Sequence, residues 1–342
     1  MTDTPNEPIG FGADLTRRDF LRRLGYAAAV SATVGGLALL RHDVQGPPLA
    51  RPKPALAGLG DYALPGLTGA AGKMAIVEGV DRTQTVSQGL AALGGMGAFI
   101  QAGDRVLIKV NAAFASPPTL GATTHPELLE VVARLCLRAG AAQVVVTDNP
   151  INDPATCFRV TGLEAAAKKV GAQIILPRPA LFQAVSLPQG RLLRQWPTLV
   201  GVFPGITKVI ILSPVKDHQR AGASMTLKNS YGFLGGRRNV FHQDINGIIT
   251  ELALLFKPTL CILDGTVSMV ANGPTGGSLA DLKETGVLVI STDPVAADAV
   301  GVELLGRRLA DIPYIQMAAA AGAGLADYQQ LGPVMVQTGN KP

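Results

Sequence analysis

Short runs that are apolar almost throughout alternate along this chain with stretches whose apolar residues recur at helical spacing. Runs rich in Val and Ile at Ala75–Glu78, Arg105–Asn111, Gln143–Thr147, Gln173–Leu176, Lys208–Leu212, Leu260–Leu263 and Val287–Ser291 predict strands. Helices are predicted between them at Thr83–Leu93, Leu163–Val170, Asp244–Phe256 and Pro294–Leu305. The clearest helix opens at Thr124, where Thr124 and Glu127 match a T-x-x-E capping box. It continues through Leu128, Val131, Val132 and Leu135 and stops at Gly140. Strands without polar alternation need cover on both faces, so the pattern predicts an α/β fold: a mostly parallel sheet with helices on both sides. The stretch 181–204 is less regular, with Pro188, Pro197, Pro204 and a lone Trp196, and is expected to be an excursion or small subdomain.

The start of the chain departs from this rhythm. Thr16-Arg17-Arg18-Asp19-Phe20-Leu21-Arg22 leads into Leu24–Leu40, 17 residues with no charge and many Gly and Ala. A basic stretch, a short apolar stretch and then a Pro-rich tail is the order of a twin-arginine export signal. Ala55-Leu56-Ala57 places small residues where signal peptidase cuts. Residues 1–57 are therefore expected to be signal and linker, and 58–342 a single α/β domain in the periplasm or another extracytoplasmic space. An uncleaved signal would tether the protein, since 17 residues sit at the lower edge of the roughly 17–25 that span a bilayer. Export of an already folded chain suits a protein that acquires a cofactor or partner before crossing.

Composition narrows the classes. With 47% apolar residues and 40 glycines, the chain has a packed core and many tight turns, which excludes disorder. The formal charge of +5 falls to +3 over 58–342, too weak and dispersed for a nucleic-acid partner. Cys136, Cys157 and Cys261 show no C-x-x-C spacing, so neither a Cys-rich zinc site nor a four-Cys iron–sulfur cluster fits within this chain. Buried thiols are the expected state, with one disulfide as the alternative.

Polar residues gather just past strand ends: Asn111, Asp148 and Asn149, Lys216-Asp217-His218, Asp264 and Asp293. In open parallel sheets ligands bind outside the carboxyl ends of the strands, so a shared site is the geometric expectation. Asp293, before Pro294, reads most simply as a helix N-cap. Lys109 lies in the otherwise apolar Val106-Leu107-Ile108-Lys109-Val110 and needs a partner or a wet cavity. Lys216, His218 and Lys228 are the candidate catalytic groups. Lys109, Asn111, His125, Asp148, Asn229, Arg237 and Arg238 are candidates to hold a ligand or cofactor. His218, His242 and Asp264 supply an N,N,O set that suits a divalent metal, provided their loops meet. Asp148, Asp217 and Asp264 can neutralise Lys109, Lys216 and Lys228 as a structural network, but Arg237 and Arg238 tip the balance to positive. A small anionic ligand is therefore expected. Neither a P-loop pattern nor a strand-linked G-x-G-x-x-G is present.

Six motifs in order carry a resemblance: Val106-Leu107-Ile108-Lys109-Val110-Asn111; Ala122-Thr123-Thr124-His125-Pro126-Glu127; Lys216-Asp217-His218; Thr226-Leu227-Lys228-Asn229 with Gly232; Leu263-Asp264-Gly265 with Gly273-Pro274; and Asp293-Pro294-Val295-Ala296-Ala297-Asp298. From about Val106 to Arg308 the chain resembles domain-of-unknown-function family 362. The resemblance implies a prokaryotic α/β domain, frequently fused to or associated with ferredoxin-like iron–sulfur modules and in some members exported by the twin-arginine route. With three scattered cysteines, any cluster must belong to a partner. The expected function is an exported cofactor- or metal-dependent enzyme, redox chemistry included, acting on a small anionic substrate; the alternative is a non-catalytic ligand-binding accessory subunit of a membrane respiratory complex.

Overall fold

The Val/Ile runs assemble into a nine-stranded sheet: β1 Met74–Glu78, β2 Arg105–Lys109, β3 Gln143–Thr147, β4 Gln173–Ile174, β5 Lys208–His218, β6 Gly222–Ser224, β7 Leu260–Met269, β8 Leu282–Ser291 and β9 Val334–Gln337. The structure is a computed structural model describing residues 16–41 and 59–339. The order across the sheet is β9-β1-β8-β7-β5-β2-β3-β4, with β6 folded antiparallel onto β5. Along that path every neighbour pair is parallel except the two that involve β8. Alternate residues enter opposite cores. Val106, Ile108, Val146, Ile210 and Ile262 pack under one face and Leu107, Val145, Val209, Ile211 and Leu263 under the other. Each such side chain contributes about 1.5–3 kcal/mol on full burial, which is why these strands are apolar throughout.

The first helix is α1 Arg17–Arg41, in the N-terminal part of the chain; the sheet is covered on both faces by helices among α2 Arg82–Ala92, α3 Pro126–Arg138, α4 Pro154–Val160, α5 Leu163–Val170, α6 Thr226–Asn229, α7 Ile245–Leu255, α8 Pro294–Leu304 and α9 Pro313–Ala320. Val86, Leu90, Leu128 and Val132 of α2 and α3 join the first core, and Ile248, Leu252, Val300 and Ile315 of α7 to α9 the second. Asp81 and Asp244 cap α2 and α7 by accepting from the N–H groups of Gln84 and Gly247. The chain divides into two compact units, 1–53 and 54–342. In the first, Thr16 Oγ1 accepts from the Asp19 N–H at 3.2 Å as α1 begins. No described helix is long and apolar enough to cross a membrane. The Ala55-Leu56-Ala57 segment and His42 lie outside the described residues.

Several expectations are corrected here. The Thr124 capping box does not form: the Thr124 hydroxyl donates to Leu212 O and accepts from Asn111 N, tying the end of β2 to β5, while His125 occupies the N-cap without a side-chain bond. Lys216-Asp217-His218 is not a loop after a strand but the buried end of β5, paired with β6. Asp293 does not share an edge with Asp264. Because β8 runs antiparallel, Ser291 sits beside Cys261 at the start of β7, which places Asp293 at the opposite end of the sheet. There it caps α8, accepting from Val295 N at 2.8 Å and Ala296 N at 3.1 Å. All three cysteines are buried thiols, so the disulfide alternative falls. The 181–204 excursion is a short hairpin, Gln183–Val185 on Trp196–Thr198, whose Trp196 ring packs on Phe241 with centroids 4.4 Å apart and donates from Nε1 to Gly235 O.

One topological feature positions the site. After β2 the chain crosses through α3 to β3 and then to β4 on one side, and it returns as β5 on the other side of β2. The strand order therefore reverses between β2 and β5, and the crevice outside their carboxyl ends is where such sheets bind ligands.

Candidate functional site at the β2/β5 switch

Lys109 ends β2 with its side chain fully buried. Its Nζ donates to Val110 O at 2.7 Å and Asn229 Oδ1 at 2.9 Å, and pairs with Asp148 Oδ1 at 2.7 Å. Burial lowers the Lys109 pKa from its ordinary value, and the Asp148 carboxylate opposes that shift. Asp148 Oδ2 also accepts from Ala112 N, while Asn229 Nδ2 donates to Leu212 O and Ser213 Oγ. One network thus joins the ends of β2 and β3 and the middle of β5 to α6. Gly232 is required beside it: a Cβ there would stand 2.2 Å from Asp148 Oδ1 and 2.7 Å from Lys109 Nζ.

Above this floor lies a cavity of about 200 Å³ whose lining includes Asn111, Asp148, Lys216, Lys228, Arg238 and the two histidines His218 and His242. Lys216 is 1% exposed; its Nζ donates to Ala122 O at 2.5 Å and lies 5.3 Å from the centre of the Phe114 ring. It has no carboxylate partner among the described residues. Burial, and after it the Lys228 ammonium, pushes its pKa down to about 7. Lys228 has neither a hydrogen-bond nor an ionic partner among the described residues, only the Tyr231 ring at 4.9 Å. Burial, and then Arg238, lowers it to about 8. Arg238 donates to the carbonyls of Tyr231, Leu234, Asn149 and Pro150, which hold its guanidinium without cancelling its charge.

The carboxylates expected to balance these cations are mostly engaged elsewhere. Asp217 pairs with Arg307 at 2.5 Å and accepts from Gly273 N, holding the Pro274–Thr275 rim. Asp264 pairs with Arg82 Nε at 2.7 Å. Only Asp148 meets a lysine. With Lys109 and Asp148 cancelling, Lys216, Lys228 and Arg238 remain as cationic groups without an anionic partner among the described residues.

The histidine rings of His218 and His242 stack with centroids 5.9 Å apart and 16° between planes. His218 Nδ1 accepts from Arg220 N and Ala221 N, so its ring hydrogen sits on Nε2. Burial, followed by Lys228, drives its pKa to about 3, so His218 is a neutral donor. His242 Nδ1 faces Asn239 O at 3.2 Å and Tyr231 Oη at 3.4 Å, and the Tyr231 hydroxyl already donates to Arg238 O. His242 therefore carries its hydrogen on Nδ1 and keeps a lone pair on Nε2. Burial and the Lys228 charge lower its pKa as well.

These placements revise the site assignment from sequence. Lys216, His218, Lys228, Asn111, Asp148, Asn229, Arg238 and His242 come together, with Lys109 beneath them. Arg237 is exposed and outside the cavity. His125 and Asp264 line a separate cavity of about 110 Å³ with Arg82, and burial followed by Arg82 lowers His125 to about 4. The trio His218, His242 and Asp264 is thus split between two cavities, and His218 has its Nδ1 lone pair occupied and its Nε2 protonated. Among the described residues no three His, Cys, Asp or Glu side chains gather as metal ligands. A larger cavity of about 300 Å³, lined by Ile211, Leu227, Phe256 and Asp293 among others, contains none of the predicted site residues. The reading from sequence missed Tyr231 and Phe114, and it missed Arg82 and Arg307 as counter-ions. Tyr231 had a signal in its neighbours Lys228 and Asn229; the two arginines had none.

A thylakoid-associated protein from Synechocystis sp. (strain ATCC 27184 / PCC 6803 / Kazusa) is 29% identical over 244 residues, covering 69% of this chain and 73% of that protein. A solved structure of a Thermotoga maritima protein aligns with a TM-score of 0.35 and 10% identity, over 70% of this chain and 59% of its own. The pattern of the family described as Domain of unknown function (DUF362) matches residues 106–303, which contain every residue of the cavity named above. With that match over more than half of its length, the chain belongs to the DUF362 family.

Proposed function

We propose that this chain is an enzyme that holds a small anionic substrate in the cavity at the β2/β5 switch and moves a proton there. The observation that carries the reading is Lys228, a cation lining a cavity with no anionic partner among the described residues. A charge left this way is stabilised by a bound anion, at about 1.5–3 kcal/mol for a charge-assisted hydrogen bond. Lys228 is the anchor and Arg238 adds to the field. Lys216, whose pKa of about 7 makes its amine partly neutral, and His242 through Nε2 are the bases; His218 donates from Nε2. Titration of the full chain with inorganic phosphate tests this. Lys228→Met should weaken binding at least about tenfold with little change in melting temperature, and unchanged affinity would remove Lys228 from the site. Wild-type affinity should also fall as pH rises through about 8, where Lys228 loses its charge.

Export by the twin-arginine route is part of this proposal. Arg17→Lys with Arg18→Lys should retain folded protein in the cytoplasm, and an unaltered yield outside it would reject the signal. The name of the thylakoid-associated relative favours a second reading, a ligand-binding accessory subunit of a membrane complex, possessing the same anion site but no turnover.

A further inference from the structure

We infer that Lys216 forms an imine with the carbonyl of a small 2-oxo acid whose carboxylate rests on Lys228. This rests on the anion-site reading and names its substrate class. Four features of the cavity carry it. Lys216 lines the cavity, yet it is 1% exposed and has no carboxylate partner among the described residues to hold it as an ammonium. Its nitrogen is fixed by one backbone carbonyl, Ala122 O, and the Phe114 ring lies beside it, so the amine is positioned and held away from bulk solvent. Lys228 lines the same cavity as Lys216, and after burial its charge is the largest influence lowering the Lys216 pKa. A lysine beside another cation in a desolvated pocket is the arrangement that keeps an amine neutral and nucleophilic. Finally, the two nitrogens have unlike partners. Lys216 is ordered by a neutral acceptor, whereas Lys228 touches only an aromatic face and is available to a carboxylate.

The step balances within the cavity. The neutral Lys216 nitrogen attacks the carbonyl carbon, a C–N bond forms, and the carbonyl pair moves to oxygen, which takes up the proton lost from nitrogen. The carbinolamine then breaks its C–O bond, water leaves with two protons, and the nitrogen keeps a C=N bond. No oxidant or reductant enters. The His218 Nε2–H is a donor for the developing oxygen, and His242 Nε2 an acceptor for the proton in transit.

Borohydride trapping tests this directly. Full-length protein with pyruvate and sodium borohydride should gain one reductively attached pyruvate, mapped by peptide mass spectrometry to Lys216. Lys216→Arg should abolish the adduct, and Lys228→Met should reduce it by about tenfold or more at limiting pyruvate. Labelling should peak between about pH 7, where Lys216 becomes neutral, and about pH 8, where Lys228 loses its charge. An adduct on another lysine, or none on folded wild type that still binds pyruvate in competition with phosphate, overturns the imine and leaves the anion site standing. Binding of neither pyruvate nor phosphate overturns both. Peptide mapping of the wild type decides the question even where a variant folds poorly.

Discussion

Two neighbouring cavities at the carboxyl edge use similar residues to opposite ends. Pro214 of β5 lines the smaller and Lys216, two residues on, lines the larger. In the smaller, Asp264 Oδ2 pairs with Arg82 and Oδ1 accepts from Thr266 N, so its charge is answered from within the fold. Lys216, Lys228 and Arg238 line the larger together, and among the described residues the carboxylate lining it is Asp148, which Lys109 already engages. Where the fold supplies the counter-charge, a charged residue is part of the scaffold. Where it withholds it, the remaining field describes the ligand.

That contrast can be broken at its foundation first. Asp148→Asn leaves the Lys109 ammonium buried with no anion and should cost about 3–5 kcal/mol in denaturant unfolding; a near-neutral result would make the Lys109 pair dispensable. Asp264→Asn should cost less, about 1–3 kcal/mol, because Arg82 is 12% exposed and rehydrates more easily. It should leave phosphate affinity unchanged, and a parallel loss of binding would merge the two cavities into one site.

A pH series sharpens the comparison further. Lys216 has a pKa of about 7 in the folded chain against an ordinary 10.5, so over that interval the unfolded state binds more protons. Stability should therefore rise with pH between about 7 and 10.5, the full penalty being present below 7. In Lys216→Met that rise should shrink by roughly 2–4 °C of melting temperature for each 1 kcal/mol removed, the residual slope coming from Lys228 and Lys109, whose pKa values burial also lowers. A melting temperature independent of pH in both proteins would show that Lys216 stays charged. The smallest stability effect belongs to Lys228→Met, within about 0.5 kcal/mol of wild type, since the substitution takes a charge from a place already rich in cations.

Much of this architecture is legible without coordinates. The apolar runs give seven of the nine sheet strands but not β6 or β9 and not the full length of β5, β7 and β8; the helical spacing gives α2, α3, α5, α7 and α8 to within a residue or two, and strands lacking polar alternation give the covered, mostly parallel sheet. The lysines are legible too, because an ammonium in or beside an apolar run has to be accounted for. Other features were hidden. Nothing local in Lys216-Asp217-His218 says that the strand continues through them, since polar residues that line a cavity look like a loop in sequence.

Sequence alone determined most of the strands and the longer helices, and which lysines sit in or beside apolar runs, because periodicity and burial cost act over a few residues. Tertiary structure alone decided which charges cancel. Arg82 reaches Asp264 across 182 positions and Arg307 reaches Asp217 across 90, separations set by sheet order. It also reversed β8, carrying Asp293 to the far edge, and it assigned the histidine hydrogens through backbone groups of a hairpin and a turn. Coulomb interactions depend on distance in space, and only the strand order β7-β5-β2-β3 fixes those distances.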